Sequence, residues 1–335
     1  MIIFSCAIAG SDRISLETKA TKIAKRHGKN LEIINLIDEM IKVGNKTNPY
    51  INSKNIPNLD IENIRLLKGT ALKNIKMNIE ENTKTDYIID GHMSFWWRGG
   101  PLNLLNSKDL KALNPDFFIS VLNDPNTVNK NLQKKKSWED KTIDEYEIAL
   151  WSELEVYTAD LISNSINRKN YVIGSKEDPD TLYELIYRPD KPKAYISYSI
   201  EHRKSGYETL EKFIKKIRQY LIVFNPKAVD IDAYKENANE RTKNLIFNQT
   251  VRRDFHLVDQ TDITVVYLSD LVYSSGIDGE RMHAHFTGKK VLLYFPFEKY
   301  SPFTPYFVDN MFKSESDLIK EIKELSKKYK LRQKQ

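Results

Sequence analysis

Apolar residues along this chain come in two rhythms. Short, nearly unbroken runs recur at 2–8 (Ile2-Ile3-Phe4-Ser5-Cys6-Ala7-Ile8), 31–36, 86–90, 115–122 and 171–173, and again at 193–199, 221–224, 262–268 and 290–296. Runs this short and this apolar suit strands covered on both faces of a parallel sheet. Between them apolar residues fall three and four apart. That spacing predicts helices over about 16–26, 61–82, 143–166 (Ile148, Trp151, Leu154, Tyr157, Leu161), 206–220, 234–260, 276–287 and 315–329;. Residues 44–60, rich in Asn, Pro and Lys, read as a loop or an insertion. Strands alternating with helices predict an α/β fold with mostly parallel, doubly wound sheets.

The rhythm restarts after Arg188-Pro189-Asp190-Lys191-Pro192, a charged stretch with two prolines that reads as a linker;. A chain of 335 residues suits two domains;. The expected division is 1–188 and 191–330, each a doubly wound parallel-sheet domain, and no internal sequence repeat relates them.

Composition narrows the function classes. Hydrophobic residues make up 40% and charged residues 29%, as in soluble globular proteins;. The net charge of +6 is a small excess of 52 basic over 46 acidic residues, concentrated in Lys327, Lys328, Lys330, Arg332 and Lys334. Without a basic stripe interleaved with aromatics, that cluster reads as a solvated helix end, and no nucleic-acid partner is expected. The single cysteine, Cys6, excludes an intramolecular disulfide and a cysteine zinc cluster, and points to a reducing cytoplasm;. The apolar start lacks a basic leader, and no run approaches the ~20 residues that span a bilayer, so no membrane partner is expected. His283 and His285, two apart on a helix, do not share a face, and neither a metal nor a cofactor is expected;.

Candidate chemistry gathers where the second set of strands ends, since ligands of open parallel sheets sit beyond the strands' carboxyl ends. Tyr195 and Ser199 lie on or just past one strand. Ser274-Ser275-Gly276-Ile277-Asp278-Gly279-Glu280 follows another; its glycines let a turn approach a ligand, and Glu280 opens the next helix, whose N–H groups suit a phosphate or sugar oxygen;. Asp254 lies on the preceding helix. Alone, Glu280 is better explained as an acid complementing a helix dipole. Asp262 reads as a strand-start cap and Arg252-Arg253 as a solvated helix face.

Taken together these residues resemble the nucleoside 2-deoxyribosyltransferase family, including its nucleotide N-glycosidase branch. The pattern is Asp254, Asp262 eight residues on, an apolar strand, Ser274-x-Gly276-x-x-x-Glu280, and Gly288-Lys289 before Val291-Leu292-Leu293; the segment 194–200 matches the opening strand with its Tyr195. The resemblance covers most of residues 193–296 and implies a flavodoxin/Rossmann-like sheet. It implies that Glu280 is a nucleophile attacking an anomeric carbon, that Asp254 orients the base and helps protonate it, and that Tyr195 holds Glu280 in position. Ser199 and Ser274 would contact the sugar or a 5′-phosphate, with Ser275, Gly276 and Gly279 lining the substrate site. Water as acceptor makes a hydrolase, a second base a transferase, and a homo-oligomer is implied because relatives complete the site from a neighbouring subunit. Tyr198 stands where relatives often carry glycine, and Glu201 where the monophosphate branch has a basic residue, with Arg203 nearby. Ile196-Ser197-Tyr198-Ser199 also resembles the opening strand of TIR domains, many of which cleave NAD. The Asp254–Asp262 spacing and Gly288-Lys289 favour the first relation, and both imply a broken N-glycosidic bond.

The first half resembles an adenylate-kinase-like P-loop domain in degenerate form. Ala9-Gly10-Ser11-Asp12-Arg13-Ile14-Ser15 follows the first strand where such domains carry a glycine-rich loop ending in Gly-Lys-Thr/Ser;. Gly10 is kept, Arg13 stands at the lysine, and Asp12 replaces a glycine with an acid that repels phosphate;. Asp90, closing the strand before Gly91-His92, matches the strand that ends near the nucleotide, and the segment 113–119 matches the next. Gly10, Ser11, Arg13 and Asp90 are therefore the expected nucleotide-binding residues, in a domain that either senses nucleotide without turnover, as a non-catalytic regulator, or serves only as a structural partner. The aromatic stretch 95–100 reads as a loop that stacks a base or packs under a lid, and Trp138 and Trp151 as core or interdomain anchors.

Overall fold

The computed structural model describes residues 1–46, 51–52, 55–135, 138, 142–199, 207–229, 239–271 and 274–332; Glu201 and Arg203 lie outside them. The chain forms two compact units, Met1–Pro179 with Val229–Phe247, and Asp180–Ala228 with Asn248–Gln335.

The first unit contains β1 (Ile2–Cys6), α1 (Arg13–Arg26), β2 (Leu31–Asn35), α2 (Leu36–Gly44), α3 (Ile61–Glu81), β3 (Asp86–Gly91), β4 (Ser94–Trp97), β5 (Gly100–Asn103), α4 (Ser107–Leu113), β6 (Phe117–Leu122), α5 (Pro125–Gln133), α6 (Glu145–Ser165) and β7 (Asn170–Gly174). Its five-stranded sheet runs β2-β3-β1-β6-β7, all parallel. β1 is buried along nearly its whole length, as its unbroken apolar run requires;.

Three helices of this unit, α2, α4 and α5, escape the periodicity because seven to nine residues give only two turns. Their starts are marked by caps instead: Asn35 accepts from the Asp38 amide, Asn106 and Asp109 form a capping box, and Asp124 precedes Pro125 at the first helical position;. The segment expected as a loop from 44 begins as the end of α2 and later holds a short 3-10 turn at Ile56–Asn58. The aromatic stretch is not a loop either. β4 and β5 pair antiparallel around Arg98 and Gly99, whose φ values of 48° and 85° make the two-residue turn that matches strand twist;. Trp96 is thereby buried beside Trp151, which is 1% exposed in the same small core.

The second unit begins with α7 (Pro179–Tyr187), which precedes the expected linker. The stretch 188–192 is packed within this unit: Lys191 is buried, ion-paired to Glu184, and donates to the Arg218 carbonyl at 2.8 Å. There follow β8 (Lys193–Ser197), α8 (Tyr207–Ile217), β9 (Ile222–Phe224), α9 (Glu240–Asp259, which belongs to this unit from Asn248 on), β10 (Ile263–Tyr267), α10 (Ser275–Phe286), β11 (Lys290–Tyr294), α11 (Phe303–Tyr306), β12 (Asn310–Phe312) and α12 (Glu315–Arg332). The sheet runs β12-β11-β10-β8-β9, all parallel. In order of appearance this is the doubly wound flavodoxin-type arrangement, and strand order reverses between β8 and β10.

Helices cover both faces. On one, α8 buries Leu210, Phe213, Ile214 and Ile217, spaced three, four and seven apart, against Ala194, Ile196, Val265 and α12 residues Leu318 and Ile322;. Each such side chain contributes on the order of 1.5–3 kcal/mol by leaving water. On the other face, Tyr195, Val266 and Leu293 pack against Leu257 and Val258 of α9 and Ile277 and Ala284 of α10. Asp262 accepts from the Lys193 amide at 2.8 Å, the role expected of a strand-start cap. Among the described residues no helix is long and apolar enough to cross a membrane.

Candidate functional site

Side chains alternate along a strand, so Tyr195 and Ser197 of β8 point to the same face of the sheet, the one covered by α9 and α10;. Both meet Glu280. The Tyr195 hydroxyl donates to Glu280 Oε1 at 2.8 Å, and the Ser197 hydroxyl donates to Oε2 at 2.5 Å. The carboxyl is thus held by one hydroxyl on each oxygen at the point where strand order reverses, where open α/β sheets bind ligands. Glu280 sits in the second turn of α10, beyond the reach of the helix dipole; the acid of the first turn is Asp278, which pairs with Arg281;.

The electrostatics are unusual for a carboxyl group. Burial, and then the negative charge of Asp254, push the Glu280 pKa up to about 8, against the opposing hydroxyl bonds from Ser197 and Tyr195 and the charge of Arg253. The Tyr195 phenol is raised well above its ordinary value by burial and by Glu280 and Asp254. Asp254 is gripped by Arg253, whose Nε and Nη2 reach its Oδ1 at 3.0 and 2.9 Å, with side-chain exposures of 8% and 17% for the arginine and the aspartate.

The other expected site residues lie just past β8 and at the start of α10. Ser199 is buried just past the end of β8. Ser274 is the N-cap of α10, its hydroxyl accepting from the Ile277 amide, and the exposed Ser275 opens the helix. Gly276 and Gly279, expected in a turn, lie inside α10 instead. A Cβ at Gly276 would meet nothing nearer than Ser274 Oγ at 3.8 Å, and one at Gly279 nothing nearer than Phe255 Cε1 at 4.0 Å. Neither glycine is required by backbone or packing, and each costs a helix interior about 1 kcal/mol relative to alanine. A side-chain carbon at either position would meet only ordinary contacts. The two histidines have separate occupations: His283 bonds Asp259 and stacks on Phe255, while His285 packs on Phe307. Lys289 is tied to the carbonyls of Asp259 and Thr261.

In the first unit Gly10, Ser11, Arg13 and Asp90 line one cavity of about 1110 Å³ at the carboxyl end of β1. The loop there is a closed turn. Ser11 N–H donates to the Ile8 carbonyl, and Asn131 and Asn123 donate to the carbonyls of Gly10 and Ser11. Gly10 has φ 87°, and a Cβ would strike the Val128 carbonyl at 2.9 Å, so only glycine fits;. Asp12 holds the left-handed conformation at φ 63° in place of a glycine. Arg13 is 5% exposed; it pairs with Asp90 and Glu17 and donates to the carbonyls of Ala7 and Gly91. The charge at the lysine position of a phosphate loop is therefore consumed internally.

Residues 18–149 match the family model of an AAA domain. The match agrees with the P-loop resemblance of this unit, and it begins at Thr18, past the altered loop. No curated protein matches the sequence. Solved structures similar to the chain include a conserved protein from Enterococcus faecalis V583 (16% identity, 40% of this chain and 98% of that one, TM-score 0.32). They also include a 2-deoxyribosyltransferase from Bacillus psychrosaccharolyticus (16%, 38% and 90%, TM-score 0.30) and a CMP N-glycosidase from Clostridium botulinum (15%, 39% and 98%, TM-score 0.26). The second unit's strand order and its Glu280 cluster, rather than these likenesses, carry the functional reading of that unit.

Two members of the cluster escape sequence reasoning. Ser197 is two residues past Tyr195 and shares its face, a signal legible from strand alternation alone. Arg253, read as a solvated helix residue, is largely buried; it differs from Arg252 only in which way the helix turns it.

Proposed function

We propose that the second unit breaks an N-glycosidic bond of a nucleoside or nucleotide, with Glu280 as nucleophile. The observation that carries the reading is the Glu280 carboxyl, bonded on both oxygens by hydroxyls of one strand and raised to about 8 by burial and Asp254. A carboxyl so raised is one of a pair whose environments hold one proton between them, the usual arrangement for acid–base work.

The proton balance closes on these residues. Glu280 passes its proton to Asp254 and, as carboxylate, attacks the anomeric carbon; the bond to the base nitrogen breaks, and that nitrogen takes the proton from Asp254. In the second half an acceptor attacks the glycosyl ester. With water, Asp254 takes the water proton and Glu280 is released, so the sugar leaves as the free hydroxyl compound. With a second base, the same steps transfer the sugar. Tyr195 and Ser197 hold Glu280 through both halves, and the sugar is taken between the end of β8, with Ser199, and the start of α10, with Ser274, Gly276 and Gly279.

Incubation with ribo- and deoxyribonucleosides, their monophosphates and NAD, read by mass spectrometry, tests this. Free base should appear from at least one class and disappear in Glu280→Gln. Base release from NAD alone would move the assignment to the TIR-like alternative. No release from any class, or release undiminished in Glu280→Gln, would overturn the catalytic reading.

A further inference from the structure

The cavity of the first unit holds groups that the Glu280 chemistry does not use. Its loop is unsuited to a triphosphate: the Ser11 amide is bonded to Ile8, Arg13 is neutralised by Asp90, and the carboxylates of Asp12 and Asp38 line the same space. Yet the cavity is not bare of cations. Lys134 and Lys135, just past the end of α5, both line it, and among the described residues neither ammonium group makes a hydrogen bond or an ion pair, their bonds to Leu132 being through the backbone. Opposite in chemistry, Phe95, Trp96 and Trp138 add aromatic surface, and Asn35, Asn52 and Asn131 add amides.

We propose that this cavity binds a nucleoside monophosphate without phosphoryl transfer, its phosphate taken by Lys134 and Lys135 instead of the loop and its base held against the aromatic wall. Two ammonium groups balance one dianionic phosphate, whereas the acids at the loop disfavour the larger charge of a triphosphate. Burial and the Arg13 charge lower the Lys135 pKa, the sign of a cation short of counter-charge, which a phosphate would supply;. His92, lowered to about 3 chiefly by burial, stays neutral and bonds the Ala7 carbonyl, so it brings no competing charge.

The chain supplies its own reporter. All four tryptophans, Trp96, Trp97, Trp138 and Trp151, lie in the first unit, and Trp96, Trp138 and Trp151 line this cavity, so selectively excited tryptophan emission reports on its occupancy. The full chain and its Glu280→Gln variant are titrated with the ribo- and deoxyribonucleoside monophosphates, the matching nucleosides and Mg-ATP. Saturable change is expected with a monophosphate in both proteins, with weaker binding of its nucleoside and of Mg-ATP. In the doubly substituted Lys134→Gln, Lys135→Gln protein, monophosphate affinity should fall at least tenfold while the nucleoside is unaffected. Unchanged melting temperature shows that this variant folds. Tighter binding of Mg-ATP, equal binding of nucleoside and monophosphate, an unchanged affinity in the double variant, or no response to any monophosphate would each overturn the proposal. A response without base release would defeat the Glu280 reading and leave this one standing.

Discussion

Removing the Ser197 hydroxyl isolates the feature on which the second unit's chemistry depends. In Ser197→Ala, Glu280 Oε2 loses the donor at 2.5 Å, while Tyr195 still holds Oε1. A hydrogen bond to a charged group contributes about 1.5–3 kcal/mol, and 1.36 kcal/mol corresponds to roughly one pKa unit. The lost bond favoured the carboxylate, so the Glu280 pKa should rise by roughly one to two units from a value already at about 8;. The direct assay is an NMR titration of protein labelled at the glutamate side-chain carboxyl carbon, with the Glu280 signal assigned by its loss in Glu280→Gln. It needs no substrate. In a base-release assay the same shift should move the alkaline limb of kcat/KM upward, because the pair must still hold the one proton that it hands to the departing base. Tyr195→Phe should displace the midpoint in the same direction. A Glu280 signal titrating in the ordinary carboxylate range, or a midpoint that stays put or falls in Ser197→Ala, would refute the account.

Three further outcomes follow from the same geometry. Gly279→Ala, inside α10 where an added side-chain carbon meets only an ordinary contact with Phe255, should raise stability by about 0.5–1 kcal/mol in denaturant unfolding;; a loss of stability would mean that the glycine serves packing. Arg13→Met should cost about 3–5 kcal/mol by leaving Asp90 and Glu17 buried without their cation;, and a midpoint within experimental error of wild type would contradict this. Glu17 and Glu155 are pushed up to about 7 and Glu280 to about 8, chiefly by burial, so the folded protein keeps protons that the unfolded chain has released. The unfolded state then binds fewer protons between about pH 4.5 and 8, and stability should fall as pH rises through that window, checked by urea midpoints at its two ends; a rise would overturn the burial argument.

The parallel sheets were legible because a strand buried on both faces has no choice but an unbroken apolar run. All five strands of the first sheet and four of the second stand out this way; the exception is β12, three residues at an edge with little to bury. The hairpin β4–β5 was missed because aromatic residues mask its alternation, although Arg98-Gly99 carries a turn signal. At the site, Tyr195, Asp254 and Glu280 could be collected through their resemblance to a family pattern, but not the direction of Arg253, since adjacent helix residues differ by a rotation that no composition reveals. Arg13 posed the reverse difficulty. A basic residue where phosphate loops carry lysine invites a ligand reading, and only the arrival of Asp90 from β3 and the turn of the side chain toward α1 disclose that its charge is spent inside the protein.

The two units handle a buried acid in opposite ways, and the difference decides what each can do. Asp90 receives an arginine directly, so its charge is met at the end of its strand and nothing is left to react. Glu280 has an arginine in its neighbourhood, but Arg253 binds Asp254, and Glu280 is left with two neutral hydroxyls. A direct ion pair would hold Glu280 ionised and stable at the cost of reactivity. Hydroxyls orient it without neutralising it, and the negative charge of Asp254 favours the protonated form of Glu280;. A protein built only for stability would gain by turning Arg253 onto Glu280 or by filling the site with apolar side chains, as buried ion pairs rarely outperform them. That this arrangement sits where the strand order reverses, next to two glycines that the helix does not need, is the physical case for chemistry at Glu280.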